Sequence, residues 1–175
     1  CLSETSVDPL AMAILLMRNS QIKMHGPEHH FLVPAVLLTA YYNHKQSPAE
    51  KAAKLDEAEK RAKNVPGGFC GYYGACGAGI GAGIFISLIT GPTPLAVTAW
   101  SQSNLATASA LKAIAAYNGP RCCKRDSFLA IIAAADFLRD VLETALPVEP
   151  NIKCLFSAQN NECLKKQCPF YPAMI

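Results

Sequence analysis

Charge is scarce in this 175-residue sequence, since only 17% of its residues are Asp, Glu, Lys or Arg. A typical globular protein has about a quarter, so much of this chain must be buried against itself or against a partner. The net charge of +3 comes without a long basic run or interleaved aromatic residues. This pattern argues against nucleic-acid binding.

The sequence also lacks an apolar run long enough to cross a bilayer, which takes about 20 residues. The best run covers residues 80–89 and is stopped by Gly91, Pro92 and Pro94, so we interpret it as a buried helix and expect no membrane association. No signal-peptide pattern is present, and we predict a cytoplasmic protein. Because the chain begins at Cys1 rather than Met, we expect a fragment or a trimmed product with an upstream domain.

No segment alternates polar and apolar residues for long, which argues against strands. Apolar residues instead recur at helical spacing between Pro and Gly breaks, and the fold class predicted is all-α: a single-domain bundle of about six helices with a cysteine-rich irregular C-terminal tail. We expect a helical domain over residues 1–150 and a tail over 151–175 packed on it. The predicted helices are 9–18, 27–44, 49–63, 77–90, 101–117 and 126–146.

Local signals set these bounds. Asp8 followed by Pro9 is typical of an N-cap and a first helical residue, and Pro147 should end the last helix. Pro34 should kink the second helix or shift its start. The third helix is the one strongly charged element and is expected to face solvent. Gly and Ala at four-residue spacing in the fourth helix predict close packing at the centre of the domain.

Eight cysteines are the main anomaly of the composition. The even count permits disulfides, but a chain of this size and apolarity does not need them. The adjacent pair in the middle of the chain is awkward for a disulfide framework, so we favour metal binding or thiol chemistry. The cysteines are Cys1, Cys70, Cys76, Cys122, Cys123, Cys154, Cys163 and Cys168.

Cys70 and Cys76 lie in a glycine-rich segment that can bend around a bulky inorganic group. Cys76 immediately precedes a predicted helix, whose N-terminus should lower the pKa of its thiol. The alternative is that both are ordinary core cysteines among small residues.

Cys122 and Cys123 follow a Gly-Pro turn and are surrounded by Arg121, Lys124 and Arg125. These cations and the helix that follows should favour thiolate over thiol. Cys123 is therefore our first candidate for a nucleophile or a substrate-side ligand. The alternative is that the cations are surface charges and that one cysteine simply packs inward.

The tail contains Cys154, Cys163 and Cys168, with Pro169 directly after the last. A metal would explain how such a short, irregular segment becomes ordered. The spacing matches neither bacterial ferredoxins nor the paired C-x2-C of structural zinc sites. A fourth ligand has to come from elsewhere, and the candidates are Cys1, Cys70, Cys76 and Cys122.

Three residues before and within the second helix could supply a metal ligand or a general acid-base: His25, Glu28 and His29. Their spacing matches the H-x-x-E-H motif of inverted zinc proteases, which needs both histidines on one helical face. Gly26-Pro27 places His25 before the helix instead, so we predict no protease. The alternative is that the three are caps and surface groups.

Four strings in order resemble an uncharacterised cysteine-rich domain family of unknown function from methanogenic archaea and anaerobic bacteria. They are HGPEHH from His25, VPGGFCGYYGACG from Val65, GPRCCKR from Gly119, and the ending from Cys163 to Pro172. The resemblance implies no reaction. It implies an oxygen-poor cytoplasm in which an exposed iron-sulfur cluster survives, and an upstream zinc-ribbon-like or methyltransferase-type domain.

The leading hypothesis is a metalloprotein in which Cys70, Cys76, Cys122 and Cys123 converge on one centre, while the tail cysteines hold a second or complete the first. We expect an iron-sulfur cluster, of the 4Fe-4S kind, with zinc as the alternative cofactor. An open iron could bind a small molecule or sulfide, with His25 or His29 as acid-base, whereas a fully ligated cluster would transfer electrons.

Two other classes stay open. A zinc-stabilised interaction module would serve an upstream catalytic domain, and a secreted disulfide scaffold would contain no free thiol. Whether the chain is an enzyme is left undecided. A partner protein or upstream domain is expected, and self-association into a homo-oligomer remains an option.

Overall fold

The computed structural model describes residues 1–149 and 151–172. Within these ranges the protein is all-helical, with seven α-helices and no strand, which confirms the predicted fold class. The helices are α1 Pro9–Met17, α2 Glu28–His44, α3 Pro48–Lys63, α4 Phe69–Tyr72, α5 Gly77–Thr90, α6 Thr98–Ala115 and α7 Cys123–Leu142.

The starts of α1 and α2 follow from their sequences. The Asp8 carboxylate accepts the backbone N–H of Leu10 at 2.9 Å and of Ala11 at 3.1 Å, so it caps two donors that a helix start leaves free. Pro34 lies inside α2 and is buried, and α2 extends through it rather than starting after it.

The core forms where α5 packs between α2 and α6. Added Cβ atoms at Gly77 and Gly81 would meet His30 and Pro34 of α2, whereas those at Gly79 and Gly83 would meet Leu111 and Thr107 of α6. The glycines therefore let two helices approach α5 from different sides, as their four-residue spacing predicts.

Helix α3 packs Leu55, Ala58 and Ala62 inward, and its charged side chains face solvent as predicted with one exception. The Lys51 side chain is only 5% exposed, and its ammonium donates to the Glu4 carbonyl at 3.0 Å and to Asn43 Oδ1 at 2.9 Å. This lysine attaches the N-terminal segment to the end of α2 instead of facing water.

Helix α7 differs most from its predicted bounds. The predicted helix begins at residue 126, but α7 begins at Cys123 with Cys122 as its N-cap. It ends at Leu142, four residues before the predicted end, where Glu143 takes a left-handed conformation at φ 52°. Its inner face buries Phe128, Ile131 and Leu138. Cys123 is thus the first residue of the helix and not part of the turn before it.

The tail packs against α7 without a regular helix of its own. It has two short 3-10 turns, at Ser157–Gln159 and Lys165–Gln167, and the Cys154 amide donates to the Phe170 carbonyl at 2.7 Å. The Phe170 ring meets Phe128 of α7 edge to face at 5.3 Å. Residue 150, at the end of the predicted helical domain, and residues 173–175 of the predicted tail lie outside the described residues.

A membrane-crossing helix would have to be both long and apolar, and none of the helices in the described part of the chain meets these two requirements.

Candidate functional site

Seven of the eight cysteines belong to two groups that meet at the start of α7. All eight have free thiols, and each is half-buried. Cys122 lies with the three tail cysteines, whereas Cys123 lies with the two cysteines from the glycine-rich segment. Adjacent residues at the helix start thus join different groups, because the cap and the first helical residue project in different directions.

The first group lines one cavity, which we call the four-thiol pocket: Cys122, Cys154, Cys163 and Cys168. Phe128, Phe156 and Phe170 contribute most of its apolar wall. An apolar shell of this kind limits water access and lowers the local dielectric, both of which tune a metal centre.

Several N–H groups point at the sulfurs of this pocket. The Phe156 amide lies 3.4 Å from Cys154 Sγ and the Lys165 amide 3.3 Å from Cys163 Sγ. The Asn160 side chain donates to Cys122 Sγ at 3.4 Å. A neutral thiol is a weak acceptor, so these donors would gain most from sulfurs that carry negative charge.

The second group, which we call the three-thiol cluster, consists of Cys70, Cys76 and Cys123. Negative charge on Cys70 would raise the pKa of both other thiols, so the three lie within electrostatic reach of one another. The backbone N–H of Gly26 opposes the rise in the pKa of Cys123, so Gly26 lies beside this thiol. The HGPEHH loop is thereby attached to this cluster.

The expectation of low-pKa thiolates is wrong for the protein without a metal. Burial raises the pKa of Cys122 to about 11 and that of Cys76 to about 12, and it also raises the pKa of Cys123. Backbone N–H donors and nearby cations oppose this rise only in part. These thiols are therefore neutral near pH 7 unless a metal displaces their protons.

Two basic side chains of α7 are buried between the groups. Lys124 is 1% exposed, and its ammonium donates to the Ile22 and Lys23 carbonyls at 3.3 and 3.0 Å and lies 5.0 Å from the centre of the Phe156 ring. Arg125 is 3% exposed and pairs with Asp126, Nε to Oδ1, at 3.0 Å. The buried charged side chains of α7 are thus two cations and one anion.

The predicted acid-base residues stand at the edge of this region. His25 Nε2 lies 2.7 Å from a Glu162 carboxylate oxygen and 3.2 Å from Asn160 Oδ1, which links the loop to the tail. His29 Nδ1 donates to the Gly26 carbonyl at 3.1 Å, because a carbonyl only accepts. As predicted, His25 precedes α2 while Glu28 and His29 begin it. Their catalytic roles stay predictions.

Buried polar atoms without a hydrogen-bond partner concentrate here. Among the described residues, five side chains contain such an atom, and all come from segments 25–29 and 125–127. Buried groups of this kind are rare and mark functional sites or sites of unseen ligands and water. The atoms are His25 Nδ1, Glu28 Oε2, His29 Nε2, Arg125 Nη1 and Ser127 Oγ.

The thiols as placed do not yet form a single-ion site. In residues 1–149 and 151–172, no group of three or more His, Cys, Asp or Glu side chains is arranged to hold a metal ion. The candidate ligands Cys70, Cys76, Cys122, Cys154, Cys163 and Cys168 therefore stay predictions. Cys1 belongs to neither group.

His29 should make stability depend on pH. Burial, with the nearby Lys124 charge, lowers the pKa of His29 from 6.5 to about 4, whereas the unfolded chain keeps the usual value. Between these two values the unfolded state binds more protons, so unfolding becomes easier as pH falls. We expect a loss of about 2 kcal/mol in the free energy of unfolding between pH 7 and pH 5 from this group alone.

The measurement is urea unfolding at both pH values. In His29→Gln the pH-dependent component should disappear, whereas His44→Gln, which changes an exposed histidine of the same helix, should retain it. An unchanged slope in His29→Gln would contradict the assignment.

Two residues near the thiols escaped the sequence analysis. The sequence places Asp126 only at a helix start, whereas the structure buries it in a pair with Arg125. Asn160 bonds to both Cys122 and His25. The available signals are an acid next to two cations at a helix start and an Asn within the cysteine tail, and neither signal is specific.

A protein-family profile matches residues 1–171, and its description is a family of unknown function, DUF5714. The sequence resemblance to a domain family of unknown function is thereby confirmed. Neither the curated proteins nor the solved structures contain a significant match to this chain.

Proposed function

The chain belongs to the DUF5714 family, a family of unknown function, and we propose that it is a metalloprotein whose four-thiol pocket holds an iron-sulfur cluster. The observation that carries this proposal is that Cys122 and the three tail cysteines line one apolar cavity. Four thiolates are the usual ligand set of a 4Fe-4S cluster.

The surrounding charge supports a metal-thiolate centre. Lys124 and Arg125 are both buried, and Asp126 is the one fully buried acidic side chain among the described residues. Deprotonating four thiols around a metal would supply the negative charge that these cations otherwise lack. The N–H groups aimed at the sulfurs would then donate to thiolates, and such bonds tune cluster potential.

Four cysteine ligands suit a structural zinc ion as well as an iron-sulfur cluster. We choose the cluster because the sequence resemblance favours it. The organisms implied by the sequence resemblance, methanogenic archaea and anaerobic bacteria, would provide an oxygen-poor cytoplasm for it.

Zinc remains the second candidate because the pocket is small. Its interior of about 10 Å³ has room for roughly one water molecule, so a cluster requires the thiols to move outward. The tail is the part able to do so, since it lacks regular structure. A zinc centre would make the protein a structural or interaction module for an upstream domain.

The three-thiol cluster is where we place any reaction. Its thiols are not needed for a four-ligand site, and Cys123 begins α7 beside Gly26, which lies between His25 and the start of α2. In this proposal the four-thiol centre serves electron transfer or stability, and sulfur or small-molecule chemistry occurs at the second group.

The test is metal and acid-labile sulfide analysis with a visible spectrum on anaerobically purified protein. Iron with sulfide, lost by at least half in Cys163→Ala and retained in Cys1→Ala, is the expected result. Zinc without iron or sulfide would contradict the cluster and favour the structural zinc site. Protein that binds neither metal under anaerobic reconstitution would refute both.

A further inference from the structure

A second cavity lies between α4, α5, α6 and the start of α7, and we call it the basic cavity. It is open to solvent and has a volume of about 520 Å³, within the usual range of small-molecule sites. The residues that define its chemistry are Cys70, Cys76, Lys112, Arg121, Arg125 and Asp126. Arg125 is the one residue that lines both this cavity and the four-thiol pocket.

The charges of the basic cavity are unbalanced. Three cations line it against Asp126 alone, and Asp126 is already paired with Arg125 at 3.0 Å. Lys112 and Arg121 are exposed and pair with no Asp or Glu carboxylate of the described residues. The cavity therefore attracts negative charge.

Arg125 adds an observation of a different kind. Its guanidinium is buried, with 3% exposed, and Nη1 has no hydrogen-bond partner, while Nη2 reaches only the Pro120 carbonyl at 3.5 Å. A buried charged donor without an acceptor is costly, and a guanidinium binds carboxylate and oxyanion oxygens best. A ligand of that class would satisfy it.

We propose that the basic cavity binds a small anion through carboxylate or oxyanion oxygens. Arg125 and Arg121 hold these oxygens, Lys112 adds long-range attraction, and the thiols of Cys70 and Cys76 lie in the same cavity wall. The site goes beyond the metal centre proposed above, because the anion is bound by side chains that need no metal.

The test is calorimetric titration of the full chain with two probes, malonate for carboxylates and inorganic phosphate for oxyanions. Saturable binding of either probe is the expected result, at least tenfold weaker in Arg121→Gln and weaker still when Lys112→Gln is added. Lys60→Gln removes the same charge from the exposed face of α3 and should bind like the native protein. All three substitutions change exposed side chains and leave the buried Arg125–Asp126 pair intact, so we expect each variant to fold.

A second measurement reports on the thiols. The bound probe should slow iodoacetamide alkylation of Cys70, followed by mass spectrometry, at least threefold in the native protein and in Lys60→Gln but not in Arg121→Gln. Absence of saturable binding, or equal weakening in Arg121→Gln and Lys60→Gln, would overturn the proposal.

The proposals of an anion site and of a metal centre can be tested independently of each other. Cys163→Ala should lose metal but keep anion binding, since Cys163 lines only the four-thiol pocket. If anion binding disappears together with the metal, the anion binds at the metal and the inference is wrong.

Discussion

Replacing Gly81 by Val should destabilise the protein by about 3 kcal/mol or more, a large part of the stability of an ordinary domain. A Cβ at this position would lie 2.8 Å from Pro34 Cδ and 3.1 Å from the His30 carbonyl oxygen. Neither neighbour can turn away, because one belongs to a rigid ring and the other to helix backbone. Helices α2 and α5 would have to separate.

The matched control is Gly67→Val, since a Cβ at Gly67 would meet nothing within 4 Å. Gly79→Ala should fall between the two, because its closest neighbour at 2.7 Å is the flexible end of Leu111. Urea unfolding followed by circular dichroism measures all three variants. A Gly81→Val protein as stable as Gly67→Val would show that the packing of α5 on α2 is looser than described.

The predictable part of the fold is the part with local signals. Helix α5 has its expected bounds, Gly77–Thr90, because Gly91 ends it in a left-handed conformation at φ 64°. Asp8 and Pro9 fix the start of α1 in the same way. Such residues act within one turn of the chain, so the sequence alone contains their effect.

The start of α7 shows where local signals mislead. Asp126 has the side chain of a typical N-cap, but in the structure it lies in the first turn of α7 and pairs with Arg125. Cys122 takes the cap position instead. This shift decides how the thiols divide, because it separates the directions of Cys122 and Cys123. No signal within the segment distinguishes the two arrangements, since the deciding contacts come from the tail.

The composition of the four-thiol pocket was equally beyond sequence reasoning. Cys122 and Cys168 are distant in the chain, and the tail has no periodicity that would assign its faces. The sequence leaves four candidates for the fourth ligand of the tail cysteines, and the structure brings Cys122 next to them. The burial of Lys124 could not be predicted either, because a lysine between charged neighbours is typical of a protein surface.

Metal removal should release the tail, which gives the second large effect. Residues 151–172 have only two 3-10 turns. Burial of Ile152, Phe156 and Phe170, with the side-chain contacts of Asn160 and Glu162, must therefore oppose the entropy of the free chain. Binding to Cys154, Cys163 and Cys168 would add the free energy of metal ligation to this contact. A chelator, or the change Cys163→Ala, withdraws that contribution.

We therefore expect trypsin to cleave after Lys153, Lys165 and Lys166 at least tenfold faster in chelator-treated protein and in Cys163→Ala than in the metal-loaded protein. Cys70→Ala should leave the tail protected, because Cys70 belongs to the three-thiol cluster and does not line the four-thiol pocket. Cleavage at Lys60 and Lys63 in α3 gives the internal rate standard. Equal cleavage with and without metal would mean that the hydrophobic contacts hold the tail unaided, whereas faster cleavage in Cys70→Ala would mean that the two groups of thiols share one centre.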